Sequence, residues 1–384
     1  MIKSNSFKDI VNDDLEHIVF GIPDWDGRDR PGKPPTVDNL KDLLDYNFSK
    51  RQNLVYQNDS FYNLCDFVGT KKQNTDIMTE VLRRHKDKNF MIIDHGRFDH
   101  FTLNQYQNCQ VWPRKYFAPA YGFANKNLSR DTSIIQKQRK TWFCALLGRS
   151  NFFRSQMFNW IIDEGLDRQN KVSYLCYEVL TRNITLHTDQ QENFIKRGGK
   201  KEYQHMIPFN NFENTNDVPA DNEGRTTKPV PLHDCLFNIA MEPYPENHSA
   251  FLTEKSLNTI LYGHVPVIVG GEGSMKKLQD IGMIVPDYLH WPMWDDIPVD
   301  EMNFSKIDIV QRQLKSFLSK HSITDISKDW YPYAVRNLLN FNNLESKCAE
   351  EEKEIWNWVL SSNHNAINNI KYGTDQNKKS KSRD

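Results

Sequence analysis

The stretch FNIAMEPYPENHSAFLTEKSLNTILYGHVPVIVGGEGSMKKL, residues 237–278, constrains the fold more than any other. An apolar run, LFNIAM at 236–241, reads as a buried strand. A helix over 254–262 and a second strand, VPVIVGG at 265–271, follow in close order, and 275–281 is a further short helix. Thr253 suits the N-cap of the first helix, Gly263 stops it as a C′ glycine, and Pro266 starts the next strand. Strand, helix, strand is the pattern of an α/β fold. The rest of the chain repeats it. Strands are expected at 18–22, 53–57, 90–94, 141–148 and 172–175, with helices at 37–48 (Thr36 as N-cap), 77–85 and 151–164. A turn-rich segment, PDWDGRDRPGKPP, follows the first strand. Residues 111–124 are aromatic-rich and read as irregular, and the polar segment 195–230 reads as a long loop. The last helices, at 306–320, 331–340 and 346–370, have no partner strands.

A chain of 384 residues suits two domains rather than one core. The polar segment 126–140 ends in KQRK and divides them. An N-terminal domain spans 1–135 and a second 140–345, followed by a C-terminal helix at 346–370 and a disordered basic tail at 371–384. A net charge of −1 leaves no basic excess or stripe, so nucleic acid is not an expected partner. The six cysteines are scattered without zinc spacing, which favours a reducing compartment. The N-terminus lacks an apolar signal core, and no stretch approaches about 18 apolar residues. The expectation is a cytoplasmic protein with no membrane span.

The chemistry concentrates in the 237–278 block. Glu242 stands at the C-terminal end of a buried strand, the edge where open α/β sheets bind ligands. Two helix N-termini face that edge, one at Thr253-Glu254-Lys255 and one after Gly270-Gly271-Glu272-Gly273-Ser274. Each offers backbone N–H groups and positive dipole to a diphosphate. Lys255 adds a full charge, and Glu254 can accept hydrogen bonds from two ribose hydroxyls. Gly271 and Ser274 belong to a turn that lets backbone approach a phosphate or sugar closely. Singly, these residues are a helix cap, a solvated charge pair and turn glycines; in this order they favour a binding site. Upstream, in TWFCALLGRSNFFRSQMFNWIIDEGL, Arg154 and Arg149 stand at a strand-to-helix turn, placed for bidentate contact with phosphate.

Over roughly 140–285 the sequence resembles the donor-binding domain of fucosyltransferase-like and exostosin-like glycosyltransferases, bacterial and viral members included. The residues that carry the resemblance are FNIAMEP, FLTEK, SLNTILYG and GHVPVIVGG in that order, with the Arg154 segment before them. The resemblance implies a GT-B architecture, two Rossmann-like domains facing across a cleft, with the C-terminal helices crossing back. It implies an inverting transferase that moves a sugar from a GDP- or UDP-linked donor to a hydroxyl of a glycan or glycoprotein. In such enzymes Arg154, Lys255 and the helix termini would neutralise the departing diphosphate, so neither a divalent metal nor another cofactor is expected. Glu242, with Glu246 as the other candidate, would fill the first acidic role. A base from the N-terminal domain would take the acceptor proton. Asp94 ends a strand in IIDHGRFDH and is the best placed, beside His95 and Asp99.

Other readings compete. Asp24-Trp25-Asp26 has the Asp-x-Asp form of the metal site in single-domain GT-A transferases, where carboxylates hold Mg²⁺ or Mn²⁺ with a diphosphate. A non-catalytic carbohydrate-binding protein would use N-terminal aromatics such as Trp112, Tyr116 and Tyr121. A sugar-nucleotide epimerase or dehydrogenase would need a Gly-x-Gly-x-x-Gly turn near the N-terminus, and the sequence has none.

Overall fold

The structure is a computed structural model. It describes residues 17–20, 53–57, 79–94, 106–113, 132–148, 151–174, 187–211, 232–242, 250, 252–297, 305–344, 346–355 and 357–358. The chain divides into two compact units, 1–116 with 348–384, and 117–347. Both are α/β with parallel-rich sheets.

The first unit holds a four-stranded parallel sheet: β1 (His17–Phe20), β2 (Asn53–Gln57), β3 (Asn89–Asp94) and β4 (Cys109–Pro113), in that spatial order. Residues 79–84 are helical, and Val81 and Leu82, like Phe90 of β3, are fully buried. The strand β4 runs into the segment 111–124 that the sequence reads as irregular. Its five residues carry neither alternation nor a long apolar run, and pairing along β3 is what makes them a strand. Trp112 on β4 meets Trp358 of the C-terminal segment, with ring centroids 5.3 Å apart.

The second unit holds β5 (Thr141–Leu147), β6 (Lys171–Tyr174), β7 (Phe209–Asn210), β8 (Cys235–Met241) and β9 (Val265–Val269) in the order β7-β6-β5-β8-β9. All pairs are parallel except β6–β7. Every residue of β8 and β9 is buried, as expected of parallel strands covered on both faces. The helices are α1 (Phe152–Asp163), α2 (His187–Lys196), α3 (Glu254–Leu261), α4 (Ser274–Asp280), α5 (Pro292–Asp295), α6 (Ser305–Lys320) and α7 (Ile323–Asn342). The segment expected as a loop from 195 onward is partly ordered. It holds the end of α2, a 3₁₀ turn at Lys201–Met206 and β7. At the end of β7, Asn211 extends the pairing with its side chain, its Oδ1 accepting from Val172 N at 2.8 Å.

Local chemistry explains the boundaries. Asn151 caps α1, its side chain accepting from Arg154 N at 2.9 Å. α3 ends in a Schellman arrangement, with Gly263 N donating to Ile260 O and His264 N to Thr259 O. Gly263 has φ +66°, and a Cβ there would lie 2.6 Å from Ile135 Cδ1, so glycine is required. At this amino edge of the sheet Arg139 is buried. Its guanidinium donates to the carbonyls of His233, Tyr262 and Gly263, while Trp330 Nε1 donates to Gly263 O at 2.9 Å. Burial and the Arg139 charge hold His264 neutral, and its Nε2 donates to Leu232 O at 2.9 Å. No helix among the described residues is long and apolar enough to cross a membrane.

Candidate functional site

In the second unit the chain leaves β5 toward β6 on one side and returns to β8 on the other. The strand order therefore reverses between β5 and β8. With right-handed crossovers, α1 and α3 lie on opposite faces, and the loops after β5 and β8 part at the carboxyl edge. Open sheets bind ligands at such a switch point.

Arg154 stands there. It lies in the first turn of α1, is only 1% exposed, and its Nη2 donates to the carbonyl of Met241, the last residue of β8, at 2.7 Å. A buried guanidinium thus ties the first turn of α1, the helix that follows β5, to the end of β8. Arg149 lies outside the described residues.

Glu242 follows β8 and is buried. Its carboxylate accepts from Thr253 N at 2.9 Å, from Thr253 Oγ1 at 2.6 Å and from the Ser256 hydroxyl. Thr253 in turn accepts from Lys255 N at 3.3 Å as the N-cap of α3. Burial pushes the Glu242 carboxyl above its ordinary value, against the Lys255 charge and the bonds from Ser256 and Thr253. The residue expected to meet the ligand directly is, in this structure, an internal anchor for the start of α3. Glu254 is the first residue of that helix and Lys255, half-buried, the second.

The glycine turn after β9 packs against this anchor. A Cβ on Gly270 would come within 2.5 Å of Ser274 Oγ and 3.2 Å of Glu242 Cγ. Ser274 is fully buried, and its Oγ donates to Gly271 O at 2.8 Å. Gly273, at φ +74°, is the N-cap of α4.

The start of α4 is not open to a ligand as the sequence implies. The Asp295 carboxylate accepts from Met275 N at 2.8 Å and Lys276 N at 2.9 Å, so a side chain of the protein already occupies the anion position. Beside it Lys306 is buried, its Nζ donating to the carbonyls of Gly270 at 2.9 Å, Asp295 at 3.1 Å and Gly271 at 3.3 Å. Burial pulls the Lys306 ammonium down to about 8, while Asp295, Glu272 and Asp296 hold it up.

The structure thus gathers Arg154, Glu242, Thr253, Glu254, Lys255, Gly271 and Ser274 at one sheet edge. Asp94 is the last residue of β3, in the other unit, where it pairs with Pro113. His95, Asp99, Asp24, Asp26, Glu246, Tyr116 and Tyr121 lie outside the described residues. Among the described residues no group of three or more His, Cys, Asp or Glu side chains is placed to hold a metal. Sequence reasoning missed Lys306 and Asp295. A signal for Lys306 existed: Lys306, Val310 and Leu314 fall four apart on the buried stripe of α6, so a lysine occupies an apolar position. Asp295 gave no comparable signal, since its partners are backbone groups some 20 residues away.

Compared with family models, curated proteins and solved structures, the chain matches none. The fold and the site define a class: a parallel-rich α/β protein whose second sheet carries a switch point with basic side chains beside it.

Proposed function

We propose that the protein is a glycosyltransferase that moves a sugar from a nucleotide-sugar donor to a hydroxyl of a glycan or glycoprotein. The two units would serve as the acceptor and donor domains of a GT-B enzyme. The observation that supports this most is the chemistry at the β5/β8 reversal, where Lys255 opens α3 and Arg154 lies buried against the end of β8.

Displacing a nucleoside diphosphate builds negative charge on the leaving phosphate. Lys255 and the first turn of α3 would take up that charge. Arg154, with one amino group committed to Met241 O, would add positive potential from below. Glu254 would engage the ribose. The attacking hydroxyl would give its proton to Asp94 and arrive on the face opposite the departing diphosphate, which inverts the anomeric centre. In this reading the protonic and electrostatic work falls to side chains, with no divalent ion, and the reaction takes place in the cytoplasm.

The test is nucleotide release from a panel of GDP-, UDP-, CMP- and dTDP-sugars, with and without EDTA. Release from one donor that survives EDTA is the expected result. Release that stops with EDTA would transfer the site to Asp24 and Asp26. An absence of both release and nucleotide binding would favour a carbohydrate-binding protein.

A further inference from the structure

We infer that Lys306 is the positioning residue of the Gly270–Gly271 turn, and that it turns the amides of Gly271 and Glu272 toward the donor's phosphate or sugar oxygens. The inference rests on the donor reading of the site above.

Three observations carry it. The ammonium of Lys306 has three N–H donors, and three carbonyl oxygens, those of Gly270, Gly271 and Asp295, lie within 3.3 Å. A neutral side chain of the same length could not bind all three. Gly270 and Gly271 are consecutive, and a trans peptide points its C=O and N–H in opposite directions. Two successive carbonyls drawn to one buried cation therefore turn two successive N–H groups, of Gly271 and Glu272, away from it. Successive amides facing one way form an anion-binding concavity.

The third observation is connectivity. A Cβ on Gly270 would lie 3.2 Å from Glu242 Cγ, so the turn packs closely on the residue whose carboxylate anchors Thr253 and Ser256. The third carbonyl on Lys306 belongs to Asp295, whose carboxylate caps α4 and whose carbonyl accepts from Gly273 N at 2.9 Å. Lys306 therefore sets the turn from behind while Glu242 sets α3 from the side. Holding a cation there is costly, because burial lowers its proton affinity. A lysine kept only to fill space would be better replaced by an apolar side chain of similar volume.

That contrast gives the experiment. Lys306→Met and Lys306→Gln are compared with the unaltered full chain in thermal unfolding, in hydrogen exchange of the segment 270–276, and in calorimetric binding of UDP and GDP. The expected result is a lowered melting temperature for Lys306→Met with the fold retained, because three buried carbonyls lose their donor and the Asp295 carboxylate loses its cation. Exchange at 270–276 becomes at least about tenfold faster, with peptides from β8 and α7 unchanged, and nucleotide affinity falls about tenfold. Lys306→Arg, which keeps the charge, recovers part of that affinity. Unchanged exchange at 270–276 in the Met and Gln variants overturns the inference, as does unchanged affinity. Loss of the fold in both neutral variants also overturns it, by making the ammonium a folding requirement. If the unaltered chain binds neither nucleotide, the donor reading fails by itself, and exchange at 270–276 still reports whether Lys306 sets the turn.

Discussion

The two sheets use similar strands and differ in their order. In the first unit β1, β2, β3 and β4 follow one another in space as they do in sequence, with no reversal among the described strands. In the second the chain steps from β5 to β6 and then returns to the far side of β5. A sheet wound in one direction sends successive loops across its edge the same way. A reversal sends two neighbouring loops to opposite faces and leaves a crevice between them. In the unit with the reversal, the buried charges Arg154, Glu242, Asp295 and Lys306 lie at the carboxyl edge of the sheet, while buried Arg139 lies at its amino edge. Topology places the crevice, and the side chains give it a charge.

If that contrast is right, substitutions in the second unit govern nucleotide binding and those in the first do not. The largest effect is expected from Lys255→Ala. It should lower donor turnover by about 100-fold or more, with little change in melting temperature, since Lys255 is half-buried. Turnover kinetics beside a thermal melt checks both parts, and undiminished turnover would detach the site from α3.

Next comes Glu242→Ala, expected to cost about 3 kcal/mol of unfolding free energy in denaturant titrations. It leaves the buried hydroxyls of Thr253 and Ser256 without their shared acceptor. Its pH dependence has a definite sign. The folded state raises the Glu242 carboxyl above its ordinary value. It therefore binds that proton more tightly than the unfolded chain does, and this contribution to stability is full in acid and lost as pH rises through the raised value. Melting curves of the unaltered chain and of Glu242→Gln, taken from pH 4 upward, should diverge in that window, with the Gln variant lacking the loss. Parallel curves would count against a buried, titrating carboxyl.

Gly263→Ala should cost about 1–2 kcal/mol, from positive φ and from crowding against Ile135. Because Gly263 sits at the opposite edge of the sheet, nucleotide affinity should stay the same in the variant. The smallest effect is reserved for the first unit. Trp112→Ala should leave UDP and GDP affinity within about twofold, while disturbing the contact with Trp358. A clear loss of nucleotide binding in that variant would break the comparison.

How far the sequence could be read follows from which interactions are local. β8, α3 and β9 were legible because burial on two faces leaves continuous apolar runs, and because Thr253 and Gly263 act on backbone within five residues. Helix α2 was not. Its sequence, HTDQQENFIK, is almost wholly polar, with Phe194 as its fully buried apolar anchor, so it has no apolar stripe to detect. The site divides in the same way. The gathering of Arg154, Glu242 and Lys255 at one edge could be expected from strand-end spacing. The inward commitment of Glu242 could not, because it depends on a contact with Thr253, 11 residues further along the chain. The occupation of the α4 N-terminus by Asp295 depends on a contact made 20 residues away.

The brevity of β7 has a consequence of its own. A parallel sheet with β6 at its border would expose a row of unpaired amides and carbonyls, a template on which another chain could add a strand. Instead a two-residue antiparallel strand covers that border, and the Asn211 side chain answers the next amide. Too short to seed further pairing, it forms the border of the sheet on that side among the described residues. Shortening or unpinning this cap, as in Asn211→Ala, would make the protein more prone to self-association at high concentration without touching the site.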